Sequence, residues 1–156
     1  AYGILLEGWE GRMSVSVPEQ ITQKIIDVLK ADSELSGLSY YFGPPLTRQT
    51  PFVYVKWIGG PVIRETLQGV VWRHRWEVVV VDSSKQDDIA EKSVMSKATR
   101  IYNVLSGNPT LDGLVREAKP VELTAETVVV ATEWAKGELI LAAARLVLEV
   151  TKEWSS

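Results

Sequence analysis

His74 is the only histidine in this 156-residue chain, and histidine is the side chain best suited to exchange a proton near neutral pH. It stands in the run WRHRWEVVVVD, residues 72–82, between Arg73 and Arg75, with Trp72 and Trp76 one position further out. The chain has no cysteine, so cysteine-ligated zinc, disulfides and a thiolate nucleophile are excluded, and clusters of histidines that bind metal are excluded with them. A lone histidine between two tryptophans reads as a packed structural group, since function has to be argued from a whole site. Two carboxylate pairs remain, Asp87 with Asp88 and Glu122 with Glu126. Such pairs can support glycoside hydrolysis or hold a divalent cation. Here the first falls in the opening turn of a helix and the second along an exposed strand edge. Gly59-Gly60 is followed by Pro61, not by a helix carrying Lys-Ser/Thr, so no phosphate-cradling loop is formed there. The expectation is no catalytic residue, no metal ligand and no cofactor.

Trp72, Arg73, Arg75 and Trp76 also resemble a nucleic-acid platform, in which bases stack on aromatics and arginines meet phosphates. Strand alternation argues against it. Residues 72, 74, 76, 78 and 80 share one face, whereas Arg73, Arg75, Glu77, Val79 and Val81 share the other. A net charge of −3 gives no basic footprint for phosphate binding. The second face turns from charged to apolar at Val79 and Val81, which implies that another element or another protein covers that end.

These residues need a scaffold, and the chain supplies one with clear periodicity. A helix is expected from Pro18, with Glu19 in its first turn. Its buried stripe is Ile21, Ile25, Val28 and Leu29, with Ile26 on the flank. Asp32, Ser33 and Gly37 weaken it, and Gly43-Pro44-Pro45 begins a loop that runs to Pro51. FVYVKWIGG, residues 52–60, reads as a strand. The connector 59–69 mixes breakers with apolar residues and is either a hairpin extension or a mobile loop. After the strand at 72–82, Ser83 or Ser84 is placed to cap a helix whose buried face is Ala90, Val94, Ala98, Ile101, Tyr102 and Leu105, ending at Gly107. Residues 121–134 and 144–154 read as two further strands, joined through residues 135–138 and the ambiguous LILAAA. The order α-β-β-α-β-β implies an α+β domain, an antiparallel sheet of about four strands with two helices on one face.

Composition is that of an ordinary globular domain, 46% hydrophobic and 24% charged, long enough to bury a core without a staple. The division expected is an N-terminal extension or arm at 1–17 and one domain at 18–154. Within the arm, Met13 resembles a natural start, and Ile4, Leu5, Leu6 and Trp9 form an apolar stretch in need of a partner surface. No apolar run reaches the roughly 18 residues of a membrane span, and the first residues lack the pattern of a signal peptide. The chain is expected to be soluble, without membrane contact.

Six tryptophans are many for this length. Trp9, Trp57, Trp134 and Trp154 fall near strand ends or termini, and tryptophan is enriched at interface hot spots. An assembly surface is expected on the connector, with Ile63, Arg64 and Leu67, and at the tip near Trp134, Lys136 and Glu138; the alternative is that both are plain surface loops.

The order of parts resembles that of the tail terminator and tail completion proteins of long-tailed bacteriophages. It is carried by a first helix ending in KADSELSGL, the PFVYVKWIGG strand, the HRWEVVVVDSSKQDDIAEKSVMSKATRIYNVLSG unit and a closing hairpin that includes ARLVLEVTKEW. The resemblance covers residues 18–154. It implies a structural virion protein, assembled in the host cytoplasm, that forms a homo-hexameric ring at the head-proximal end of the tail. Its partners would be the tail tube protein and a head-proximal connector or stopper. DNA would pass through the lumen without specific binding, and six copies carrying −18 would repel it rather than trap it. Two other readings compete: a different head-tail joining or neck protein, and a small cellular enzyme or ligand-binding domain, which would need a deep polar pocket.

Overall fold

The computed structural model describes residues 16–46, 49–60, 62–66, 69–132 and 137–155, of which 62–66, 69–70, 87, 128–132, 137–138 and 154–155 are described by backbone alone. Residues 1–15, with the apolar stretch expected of an arm, lie outside the described part.

Helix α1, Val17–Lys30, starts one residue before Pro18 because Ser16 caps it, its hydroxyl accepting the Glu19 N–H at 3.3 Å. The expected stripe is buried, and Ile26, expected on the flank, is buried as well. Thr22 is the polar member of that face. Its hydroxyl donates to the Pro18 carbonyl at 2.8 Å and accepts the indole N–H of Trp76 at 2.9 Å, so neither group is left unpaired in the core.

The segment after α1 contains a strand that the sequence does not announce: β1, Ser39–Phe42, pairs in parallel with β2, Phe52–Gly59. Four residues between glycines carry too little periodicity to mark a strand, and only β2 gives them a partner. Upstream, Asp32 is gripped by Arg100 of the second helix, at 3.0 and 3.1 Å from Nε and 2.5 Å from a terminal nitrogen. This guanidinium holds the Asp32 carboxyl below the usual aspartate range. Because the folded-state pKa is depressed, the stabilisation is complete above the ordinary value of about 3.9 and is lost as pH falls through the folded value. Arg100→Gln should therefore flatten the acid limb: urea midpoints of wild type and variant should differ at pH 6 and converge only once the pH has fallen through the depressed folded-state value of Asp32.

The connector resolves as the hairpin alternative. Strand β3, Val62–Thr66, pairs antiparallel with the start of β4, Gly69–Ser84, so β2 and β3 run along one flank of β4 with irregularities near Gly59 and Val62. β4 is longer than the expected 72–82 because β6 pairs with it throughout, from Gly69 opposite Ser155 to Ser84 opposite Ile140. Ser83 and Ser84 are consequently strand residues and not helix caps. The N-cap of helix α2, Asp87–Ser106, is Gln86, which makes no side-chain cap bond. Ala90, Val94, Ala98, Ile101 and Leu105 are buried as expected, but Tyr102 is 44% exposed. One helical step of 100° past Ile101 carries it off the buried stripe.

Strands β5, Glu117–Thr132, and β6, Gly137–Ser155, absorb the ambiguous LILAAA into a 19-residue strand. Ala142 and Ala144 are buried on the helix-bearing face, in one core cluster with Ala90 and Ala98 of α2. Small side chains let helix and sheet approach closely, which is why residues that favour helices sit in this strand.

The described residues form an α+β fold: a six-stranded sheet in the order β1-β2-β4-β6-β5, with β3 beside β4 and both helices contributing to the core on one face. Two strands beyond the expected four are present, and the β1–β2 pair makes the sheet mixed.

Candidate assembly surfaces

His74 is half-buried and packs between the rings of Trp57 and Trp72. Its Nδ1 accepts the indole N–H of Trp57 at 3.0 Å, and its ring lies 4.3 Å from that of Trp72. Burial pushes its pKa down, opposed in part by a hydrogen bond with the Gly60 backbone. Glu122 lies 3.9 Å from Arg145, and Asp88 lies 4.0 Å from Lys92 one helical turn on. Among the described residues no group of three metal-ligating side chains comes together.

A serine and a lysine do meet at Ser93 and Lys97, one turn apart on α2, a pair the sequence reading did not single out. The Lys97 ammonium donates to Ser93 Oγ at 2.5 Å, and Ser93 donates to Asp82 at 2.5 Å. Lys97 also pairs with Asp82 at 3.7 Å. Each donor in this series points toward the Asp82 carboxylate. The cluster fastens the end of β4 to α2.

The sheet face away from the helices is a checkerboard of charge. Across the rows, Lys56 stands opposite Glu77, and Arg75 opposite Glu149, which stands opposite Lys119. Glu149 receives Arg75 at 3.3 Å and Arg73 at 3.7 Å, and Arg145 Nε meets Glu77 at 2.5 Å. The arginines seen in the sequence are thus already paired with carboxylates on their own face. Val79, expected to need cover from another element, is buried on this face between Tyr54 and Arg145, which stand opposite it in β2 and β6. Long amphipathic side chains lie over an apolar neighbour while keeping their charged ends wet. Arg145→Met should leave the mostly buried Glu77 carboxylate without its cation. The expected loss is about 1–2 kcal/mol, and Glu77→Gln in the same background should restore part of it in a denaturant double-mutant cycle.

The expected assembly residues divide between two hairpins. Ile63 and Arg64 lie in β3, and the hairpin closes from Thr66 opposite Gly69. Glu138 lies at the start of β6 opposite Ala131, beside the β5–β6 tip that closes from Thr132 opposite Gly137. Leu67, Trp134 and Lys136 lie outside the described residues. Register fixes the relation between the two ends: Gly69 is level with Ser155, whereas the other hairpin closes at Gly137. At about 3.3 Å per residue the two are separated by nearly the full length of β6, roughly 60 Å. The structure therefore does not bring the two groups into one patch. Beyond the Ser84–Ile140 pair, β4 no longer accompanies β6, and residues 128–132 pair only with 137–141.

A surface that sequence reasoning reached only through Trp57 lies at the open end of β2. Phe42 is 53% and Trp57 45% exposed, with Ile58 and Leu46 also exposed. Phe42, Gly43, Val55, Lys56 and Trp57 wall a groove of about 470 Å³ with Ser16, Pro18, Glu19 and Thr22 of the α1 start. Phe42 ends, and Leu46 follows, a strand too short to be read from sequence.

No family profile matches the chain, and no curated protein is similar to it at a significant level. Among solved structures, the fold is shared with a chain from the virion of a native gene transfer agent particle. The two are 16% identical with a TM-score of 0.59, and the match covers 90% of this chain and 100% of the other. At that identity the likeness defines a common fold.

Proposed function

We propose that this protein is a structural component of a phage or phage-like virion, and specifically a tail terminator. In this reading six copies form a ring on the last ring of the tail tube, halt tube growth and present a docking surface to the head-proximal connector. The observation that carries it is the shared fold with a virion chain, which spans nearly all of this protein and all of the other.

The geometry supports the role on separate grounds. A protein that joins two partners needs contacts directed both ways, and the two hairpins lie at opposite ends of β6. A terminator must match the tube without copying its growing face. The edge strand β5 carries Pro120, an irregularity between Pro120 and Glu122, and charges at Glu117, Lys119, Glu122 and Glu126. Proline, bulges and charges on an edge oppose further strand addition. Arg73, Arg75 and Arg145 of the helix-free face are paired with carboxylates, in keeping with passage of DNA through a lumen without specific binding.

The competing neck-protein role makes a different prediction in one experiment. Purified chain should co-sediment with tail tubes; sedimentation with head connectors and not with tubes would replace the terminator reading with the neck reading.

A further inference from the structure

We propose that His74 is a pH-sensitive latch that fixes Trp57 when neutral and releases it on protonation, while the ring stays tied to the β2–β3 junction. The inference does not depend on the virion role. It starts from two hydrogen bonds on one imidazole. Nδ1 accepts from the Trp57 indole, which is a donor only, and the ring donates to the backbone of Gly60, the residue that follows β2, in a bond that favours the protonated ring and so persists when the indole is released. A ring that accepts at Nδ1 carries its proton at Nε2. Adding a proton at Nδ1 turns that acceptor into a second donor facing the indole N–H, and the bond is lost.

The surroundings make this site a junction. Trp57, His74 and Trp72 form a continuous aromatic series, with ring centroids 5.6 and 4.3 Å apart, and Trp76 lies 6.3 Å beyond Trp72 in the core. Trp57 walls the groove beside α1, so the latch sets the position of the most exposed member of the series. Gly60 packs so closely that a Cβ there would lie 2.4 Å from the Arg73 carbonyl oxygen and 3.1 Å from His74 Cδ2. Only glycine permits the contact.

Charged groups approach from each neighbouring element. On β4 itself, Arg73 and Arg75 occupy the opposite face and are held by Glu149 of β6. Lys152 of β6, opposite Trp72, donates to the Leu114 carbonyl at 2.6 Å. Glu19 of α1 and Lys56 of β2 line the same groove as Trp57. On β3, Arg64 and Glu65 are in register with Val71 and Val70, at least three residues along β4 from His74. Among the described residues no carboxylate bonds to His74 to favour the imidazolium. Burial favours the neutral form, so opening becomes favourable as pH falls below the ordinary histidine value of about 6.5. The effect levels off below the pKa of the closed state.

The test is a titration of the full chain from pH 7.5 to 5, following indole N–H and imidazole resonances by NMR, with Trp57 assigned through Trp57→Phe. The Trp57 indole signal should move toward that of a free indole with the same midpoint as His74. Its exchange, corrected for intrinsic pH dependence, should rise as pH falls below 6.5, with a limiting slope of about ten-fold per pH unit, and level off once His74 is protonated. Trp57→Phe should raise the His74 midpoint, and Gly60→Ala should free the indole at neutral pH. The latch is overturned if His74 titrates while the Trp57 indole signal stays fixed, or if Trp57→Phe leaves the His74 midpoint unchanged.

Discussion

Replacing Trp76 with alanine is expected to remove about 3–5 kcal/mol, a large part of the 5–15 kcal/mol typical of a domain. Trp76 has no exposed surface. It sits in β4 between Leu148 of β6 and Trp57 of β2 in register, and its indole donates to Thr22 of α1. One side chain therefore joins the sheet's central strand to the first helix. The substitution opens a cavity and also strips Thr22 of a partner in the core. Urea denaturation followed by far-ultraviolet circular dichroism should show a much lower midpoint or no folded baseline. Trp76→Phe, which keeps most of the volume but loses the donor, should fall between the two. An unfolding free energy for the alanine variant within about 1 kcal/mol of wild type would mean that the packing around β4 is wrong.

The second large effect is functional. The register of β3 on β4 shows how to remove the hairpin without disturbing the core: Val62 pairs with Trp72, so residues 63–71 can be replaced by Asn-Gly, a two-residue turn that suits antiparallel strands. Deleting 61–68 alone would instead leave Gly60 to reach Gly69 across four residues of β4. The shortened protein should fold, with its indole–His74 pair intact, and should lose tube capping altogether if Ile63, Arg64 and Leu67 belong to the assembly surface. Capping assayed by tube length in electron micrographs decides the matter, and a shortened protein that still caps would remove this hairpin from the interface.

Much of this fold was legible because its elements announce themselves locally. The Ile21, Ile25, Val28, Leu29 stripe and the alternation from Trp72 to Val80 each specify a face without knowledge of the rest of the chain. What escaped depends on partners distant in sequence. β1 exists because β2 lies beside it, and Ser83 and Ser84 stay extended because β6 pairs with them, overriding their preference for capping. The alanines before Arg145 look helical in isolation and make sense only against α2. The hairpins carrying the candidate site were legible as segments, whereas their placement at opposite ends of β6 follows only from strand register. The partners of Arg73, Arg75 and Arg145 were hidden for the same reason: their carboxylates come from Glu149 and Glu77 on neighbouring strands.

The central claim is that this chain acts as a building block, through the shape of its sheet and loops. Mass measurement of the purified protein, alone and after mixing with growing tail tubes, tests it most directly. Six chains on one tube end, with growth arrested, is the result expected. Tubes that lengthen as before, with the added chain left unbound, would contradict it.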